Sequence, residues 1–293
     1  MLFASYSTRD GQICLRSIRK DPAAGTIASR CTWHRLKLEI AASGREAAHN
    51  PIMADTGGLR NFLRYARIKG FRLGEFLSPE LHQIVELSET LNRIPASAMV
   101  DILELTSVVN RQPSMAIELA YWTDEHSIGM LSVLLDACPT IAESLRVQSQ
   151  YVHLETFAID ASIEAAGDEV LFVHNHRVAG QFGRSQYVEA GMMVSVRLIR
   201  MSAGESWSPS RVEFEHPAPE NVSIYASRFR CPVEFGAERN ALHIPAEDLH
   251  RPLPQANPRF LAYLERHMAT LGFNLGDTIA AETELSEPIP LSS

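Results

Sequence analysis

Lysine is nearly missing from this chain. Of its 27 basic residues only Lys20, Lys37 and Lys69 are lysines, which reads as coding bias rather than chemistry. Cysteine is scarce too. Cys14, Cys31, Cys138 and Cys231 include no CxxC pair and no zinc-finger spacing, which argues against a zinc ribbon or a redox pair. The expectation is reduced thiols inside a cytoplasmic protein. No run of 18 apolar residues occurs, so no membrane-spanning helix is expected. Residues 2–6 are too short for the apolar region of a signal peptide, and a polar stretch follows. There is no G-x-S-x-G elbow, Walker loop, G-x-G-x-x-G or H-E-x-x-H. These absences point away from an enzyme, and no cofactor is expected.

What is present is the composition of an ordinary globule, 45% hydrophobic and 21% charged over 293 residues, enough for one large or two modest domains. Charge is uneven. Residues 1–52 carry 8 basic and 4 acidic side chains, net +4, and the remaining 19 and 31 leave residues 53–293 at net −12. A body that acidic repels a phosphate backbone and is a poor nucleic-acid binder by itself.

Residues 1–52 show no sustained period of 2 or 3.6 and read as an extension, either a disordered basic arm or a stretch upstream of a true start at Met53. Residues 53–271 read as one domain and residues 272–293, with Pro288 and Pro290, as a frayed tail. Ser78-Pro79-Glu80 is a helix start, with Leu81, Ile84, Val85, Ser88 and Leu91 on one face. Pro95 and Pro113 open two more helices, a fourth covers 128–138, and Thr140 with Glu143 makes a capping box for a fifth through Tyr151. The period then changes to two. Residues 157–163 and 170–176 read as strands joined at Gly167-Asp168. A helix over 184–202 puts Val188, Met192, Ser195, Leu198 and Ile199 on one face and stops at Gly204. Short strands follow at 211–216, 232–236 and 241–244, then a closing helix at 260–271. Helices, hairpin, helix, strand and hairpin in that order predict an α+β fold: N-terminal helices followed by a small antiparallel sheet with a packed helix.

Few residues invite chemistry. His174 and His176 share one strand face, so both imidazoles could reach a metal with His216 as third ligand; ordinary core or surface histidines are the plainer reading, and no metal site is expected. Asp124, Glu125 and His126 cluster in a loop, where capping or solvation is the simpler role. Gly57, Gly58, Gly70 and Gly74 follow no predicted strand, which argues against a phosphate cradle. The aromatic groups Tyr121-Trp122 and Tyr151 with His153 sit at helix ends; they are the candidate ligand-binding residues, with ordinary core packing as the alternative.

Several segments together resemble the "arabinose-binding" sensor domain of AraC-type bacterial transcription regulators. They are Arg93-Ile94-Pro95, the run from Gly129-Met130-Leu131 to Cys138-Pro139-Thr140-Ile141-Ala142-Glu143-Ser144-Leu145, and Tyr151 with His153. The second half is more specific: Val212-Glu213-Phe214-Glu215-His216-Pro217-Ala218-Pro219, Tyr225, Phe229, Cys231-Pro232-Val233-Glu234-Phe235-Gly236-Ala237, Asn240-Ala241-Leu242, Leu249, Arg251-Pro252-Leu253-Pro254 and Asn257-Pro258. The likeness covers roughly residues 75–268. It implies an effector-sensing domain that binds a small molecule and pairs as a homodimer, or as a heterodimer with related regulators. The family's helix-turn-helix module has no counterpart in the sequence after His267, so DNA contact is expected only through a module absent here. The alternatives are an enzyme with a site assembled from distant residues, metal-dependent through His174 and His176, or the non-functional product of a truncated gene.

Overall fold

A computed structural model describes three strands before residue 35, and residues 52–270 except 75, 125–128 and 179. The expected tail at 272–293, and Glu125 and His126, lie outside the described residues. The chain forms two compact units, Met1–His49 and Asn50–Ser293.

In the first unit β1 (Phe3–Arg9), β2 (Gln12–Lys20) and β3 (Ile27–His34) form an antiparallel sheet. The sequence showed no sustained period there. Its overlooked signal is local: the sequence carries Asp-Gly between β1 and β2, one of the dipeptides favoured between paired antiparallel strands.

The second unit opens with β4 (Met53–Asp55), paired antiparallel with β5 (Arg93–Pro95). Helix α1 (Thr56–Lys69) follows at once, with the Asp55 carboxylate accepting from the Gly57 N–H and Gly70 closing the helix at φ +68°. The sequence reading assigned nothing to this span, and it placed no strand before Gly57-Gly58. Both points are corrected: a strand of only three residues is too short to show a period, and two glycines in a first turn weaken helix propensity. Helices α2 (Pro79–Glu86), α3 (Ala96–Asn110), α4 (Met115–Trp122), α5 (Gly129–Asp136) and α6 (Ile141–Tyr151) then follow. Ser78 and Thr140 cap α2 and α6 as expected, accepting from Leu81 N–H and Glu143 N–H.

A five-stranded sheet runs in the order β6 (Ile159–Ala166), β7 (Glu169–His176), β10 (Ala241–Pro245), β8 (Arg211–Phe214), β9 (Val233–Phe235). Between β7 and β8 lies α7 (Ser185–Ala203), between β8 and β9 the short α8 (Ser223–Phe229), and after β10 comes α9 (Pro258–Thr270). The α+β expectation holds, but the sheet is mixed: β9 runs parallel to β8, which α8 permits by carrying the chain back across. The β6–β7 hairpin turns on Gly167 at φ +69°, a conformation costly for other residues.

Helix α7 buries residues along most of its length, with Met192, Met193 and Val196 fully enclosed. Its contacts join the sheet face (Phe172, Val212, Leu242) to α4 through α6 in one apolar cluster. A second cluster, built from Leu59 and Phe62 of α1, Met99, Ile102 and Leu103 of α3, and Met115 and Leu119 of α4, holds the N-terminal helices. At the C-terminal end of α7 the buried Arg200 guanidinium donates to three carbonyls, Trp207 O at 2.8 Å, Arg228 O at 2.9 Å and Phe229 O at 2.7 Å. Lysine cannot reproduce that planar fork. Arg200→Lys should therefore lose about 2–4 kcal/mol in denaturant unfolding, from carbonyls left without donors. A loss under 0.5 kcal/mol would show that the three bonds contribute little.

Candidate functional site: a cavity between two cores

The two apolar clusters do not close completely on each other. Between them lies a cavity of about 610 Å³, within the range of sites for small organic molecules. Met99 and Leu103 of α3 and Leu119 and Ala120 of α4 form one wall. Ile159 and Ala161 of β6 with Phe172 and His174 of β7 form another. Tyr187, Ala190, Gly191, Val194, Ser195 and Leu198 of α7 run along a third side, Leu131 of α5 and Met268 of α9 add apolar surface, and Gln148 of α6 adds an amide. At Gly191 the α7 backbone comes close to the sheet wall. A Cβ on Gly191 would sit 3.3 Å from Ile159 Cδ1 and 3.7 Å from His174 Nδ1.

Polar groups gather where β4 and β5 meet the cavity. Asp55 and Arg93 are direct partners across the strand pair, and both line the space with Gly57, Gly58, Arg60, Asn61 and Glu155. Their bonding differs. Asp55 is occupied as the α1 cap, its Oδ1 2.6 Å from Gly57 N. Arg60 donates to Thr56 Oγ1 at 2.8 Å and Ser88 O at 3.0 Å. Glu155 lies against the start of α5, where a Cβ on Gly129 would come within 2.5 Å of its carboxylate. Burial, and then the nearby Asp55 charge, push the Glu155 carboxyl up to about 7, against the opposing pull of the Leu131 N–H and Arg93. Arg93 places its guanidinium over the Phe157 ring at 4.8 Å, yet one terminal nitrogen is buried without a hydrogen-bond partner. Gln148 Nε2 and His174 Nδ1, also on the lining, are buried and unpartnered in the same way.

Of the histidine pair only His174 lines the cavity, and His176 lies beside it on the same strand face, as the strand period predicted. His174 and His176 have ring centroids 6.1 Å apart, and His174 Nε2 meets Ser195 Oγ at 3.2 Å. Burial drives both towards neutrality, to about 4 for His174 and about 3 for His176. His216 is placed elsewhere, between the Phe214 and Phe235 rings and 3.4 Å from Glu189. Among the described residues no group of three His, Cys, Asp or Glu side chains is placed to hold a metal ion.

The four aromatic-group candidates are not on the cavity lining. The Tyr121 ring is packed between the guanidinium groups of Arg228 at 4.3 Å and Arg197 at 5.3 Å. Trp122 packs on Tyr65 at 5.6 Å and is partly in solvent. Tyr151 is a core residue, with its hydroxyl 3.3 Å from Gln150 Nε2. His153 lies between Tyr151 and Phe157. Aromatic side chains fill space, so they mark packed regions more readily than voids. The lining residues the sequence reading missed are the small and apolar ones of the walls and the polar group around Asp55, Arg60 and Glu155, whose meeting no local pattern encodes.

Beside the cavity, the first turn of α7 is held by buried carboxyls. Glu104 Oε1 accepts from Gln186 N–H at 2.6 Å, and Glu189 accepts from the Tyr225 hydroxyl at 2.8 Å. Burial pushes Glu104 up to about 7 and Glu189 well above the usual carboxylate range. A carboxyl raised on folding contributes stability that is complete below its unfolded value and lost as pH rises through the folded one. The two buried histidines act oppositely, losing stability as pH falls below about 6.5. Between pH 6.5 and 8 only the carboxyl effect remains. Glu104→Gln, which keeps the acceptor oxygen, should remove about 1 kcal/mol of the stability loss over that interval. Equal pH profiles for the two proteins in urea unfolding would contradict this.

Comparison with known proteins places this architecture. Residues 83–253, more than half of the chain, match the family described as the arabinose-binding domain of AraC transcription regulators, N-terminal. Among solved structures, the transcriptional regulator CdpR from Pseudomonas aeruginosa is similar at a TM-score of 0.53 and 16% identity. The likeness covers 84% of this chain and 74% of that one, and at such identity it speaks for the fold alone. No curated protein matches the sequence. Among the described residues no helix is long and apolar enough to cross a membrane. With the family match spanning α3 to α8, the five-stranded sheet and most of the cavity wall, this chain belongs to the AraC transcription-regulator family by its N-terminal arabinose-binding domain.

Proposed function

We propose that residues 53–271 sense a small-molecule effector in the cavity between the two cores, and that the protein acts in transcriptional regulation rather than catalysis. The observation that carries this reading is the cavity itself: about 610 Å³, apolar along three walls, with a few polar groups gathered at one end. Such a site binds by shape and apolar contact and orients its ligand by the polar end. The ligand would contact α1, α3, α5 and α7 together. Its differential affinity for two arrangements of these helices is then the source of the switch. In this reading the domain is cytoplasmic and pairs with itself or with related regulators, and DNA is contacted by a separate module.

Thermal unfolding of the full chain against a library of small metabolites tests the proposal. A ligand present at 100 times its Kd should raise Tm by about 5–10 °C. Ala190→Phe, which adds a ring where α7 lines the cavity, should abolish that rise while leaving the unliganded Tm within a few degrees. A ligand that stabilises the variant as much as the parent binds elsewhere, and the cavity is then not the sensor.

A further inference from the structure

The polar end of the cavity is specific enough to name a ligand class. Resting on the effector-site reading above, we propose that the cavity takes a small carboxylate with a largely apolar body, its carboxylate held by Arg93.

The argument turns on which charges are already used. Two cations and two carboxylates line this end. Asp55 is committed to the α1 cap, and Arg60 to Thr56 Oγ1 and the Ser88 carbonyl. Glu155 rests against the first turn of α5 and, raised to about 7, is about half neutral near pH 7. Arg93 alone of the four charged groups keeps a buried nitrogen without a partner. A buried donor left unmade is costly, and a charged one more so, so an acceptor oxygen arriving there gains what the empty protein forgoes. Gln148, which also lines the cavity and is only 3% exposed, has a second buried amide nitrogen without a partner. An amine would meet two like charges, Arg60 and Arg93, at this end. A neutral hydrocarbon would leave both Arg93 and Gln148 without acceptors.

Calorimetry on the full chain, with octanoate and 3-phenylpropanoate beside their primary amides and primary amines, tests this directly. The expected result is carboxylates binding about 10–100-fold more tightly than the matched amides, with the amines weakest. Arg93→Gln should erase that preference and leave amide binding within about threefold, and Arg93→Lys should restore part of it. Because the ligand comparison is made on the parent protein, it decides the matter even where an Arg93 variant folds poorly. Amides binding as well as carboxylates, amines binding best, or a preference that survives Arg93→Gln would each overturn the proposal. Neutral Nile red separates the two levels of inference. If it enters the cavity, with entry lost in Ala190→Phe, while no carboxylate binds, the ligand class is wrong and the cavity stands. If neither enters, the sensor reading itself has failed and this proposal fails with it.

Discussion

Helix α7 lies inside the domain, so each polar side chain it carries must find a partner within the protein. Gln186 joins it to α4, donating to Pro113 O and accepting from Ala116 N–H. Glu189 receives the Tyr225 hydroxyl of α8, Ser195 meets His174 of β7, and Arg200 reaches the carbonyls that end α8. These contacts run in sequence along the helix and reach every layer around it. The apolar packing of Met192, Met193 and Val196 supplies area, and the polar contacts fix rotation and register. If α7 shifts along its axis, all of them are strained together.

The cavity follows from the same constraint. A helix that must contact both the sheet and the N-terminal helices can do so at its two ends, where bulky residues and polar pairs meet neighbours. Along one side Tyr187, Ala190, Gly191 and Val194 line the cavity, and at Gly191 the backbone comes close to Ile159 and His174. A void so lined forfeits packing energy. Occupation by a ligand would recover it at the point where α7 touches both cores, which is where a small gain bears on the most contacts.

How much of this was legible in the sequence depends on how local the signal is. The caps Ser78 and Thr140, the stop at Gly204 and the turn at Gly167 act within four residues of themselves, and each was readable. The inward face of α7 was readable because 19 residues give the 3.6 period room to show. Strands β4 and β5, at three residues each, give no room. The parallel pairing of β9 with β8 depends on a crossover that no local pattern encodes. The cavity was least legible. Sequence reasoning selects residues with something to offer, such as Tyr121 or His153, whereas a pocket is made by residues that withhold volume. Arg93 was visible only as part of a family-like tripeptide, because an unmade hydrogen bond has no signature in sequence.

The sheet also bears on how copies of this protein meet. Its outermost strands are β6 and β9. β9 offers only three residues and places Glu234 in an ion pair with Arg211. β6 is longer, but the Ser149 hydroxyl occupies the Ala161 carbonyl, and Asp160 and Glu164 are paired with Arg177 and Arg239. A foreign strand adding to either border would find little backbone to pair with and fixed charge in its path. Each of these features works against pairing between copies along these two borders.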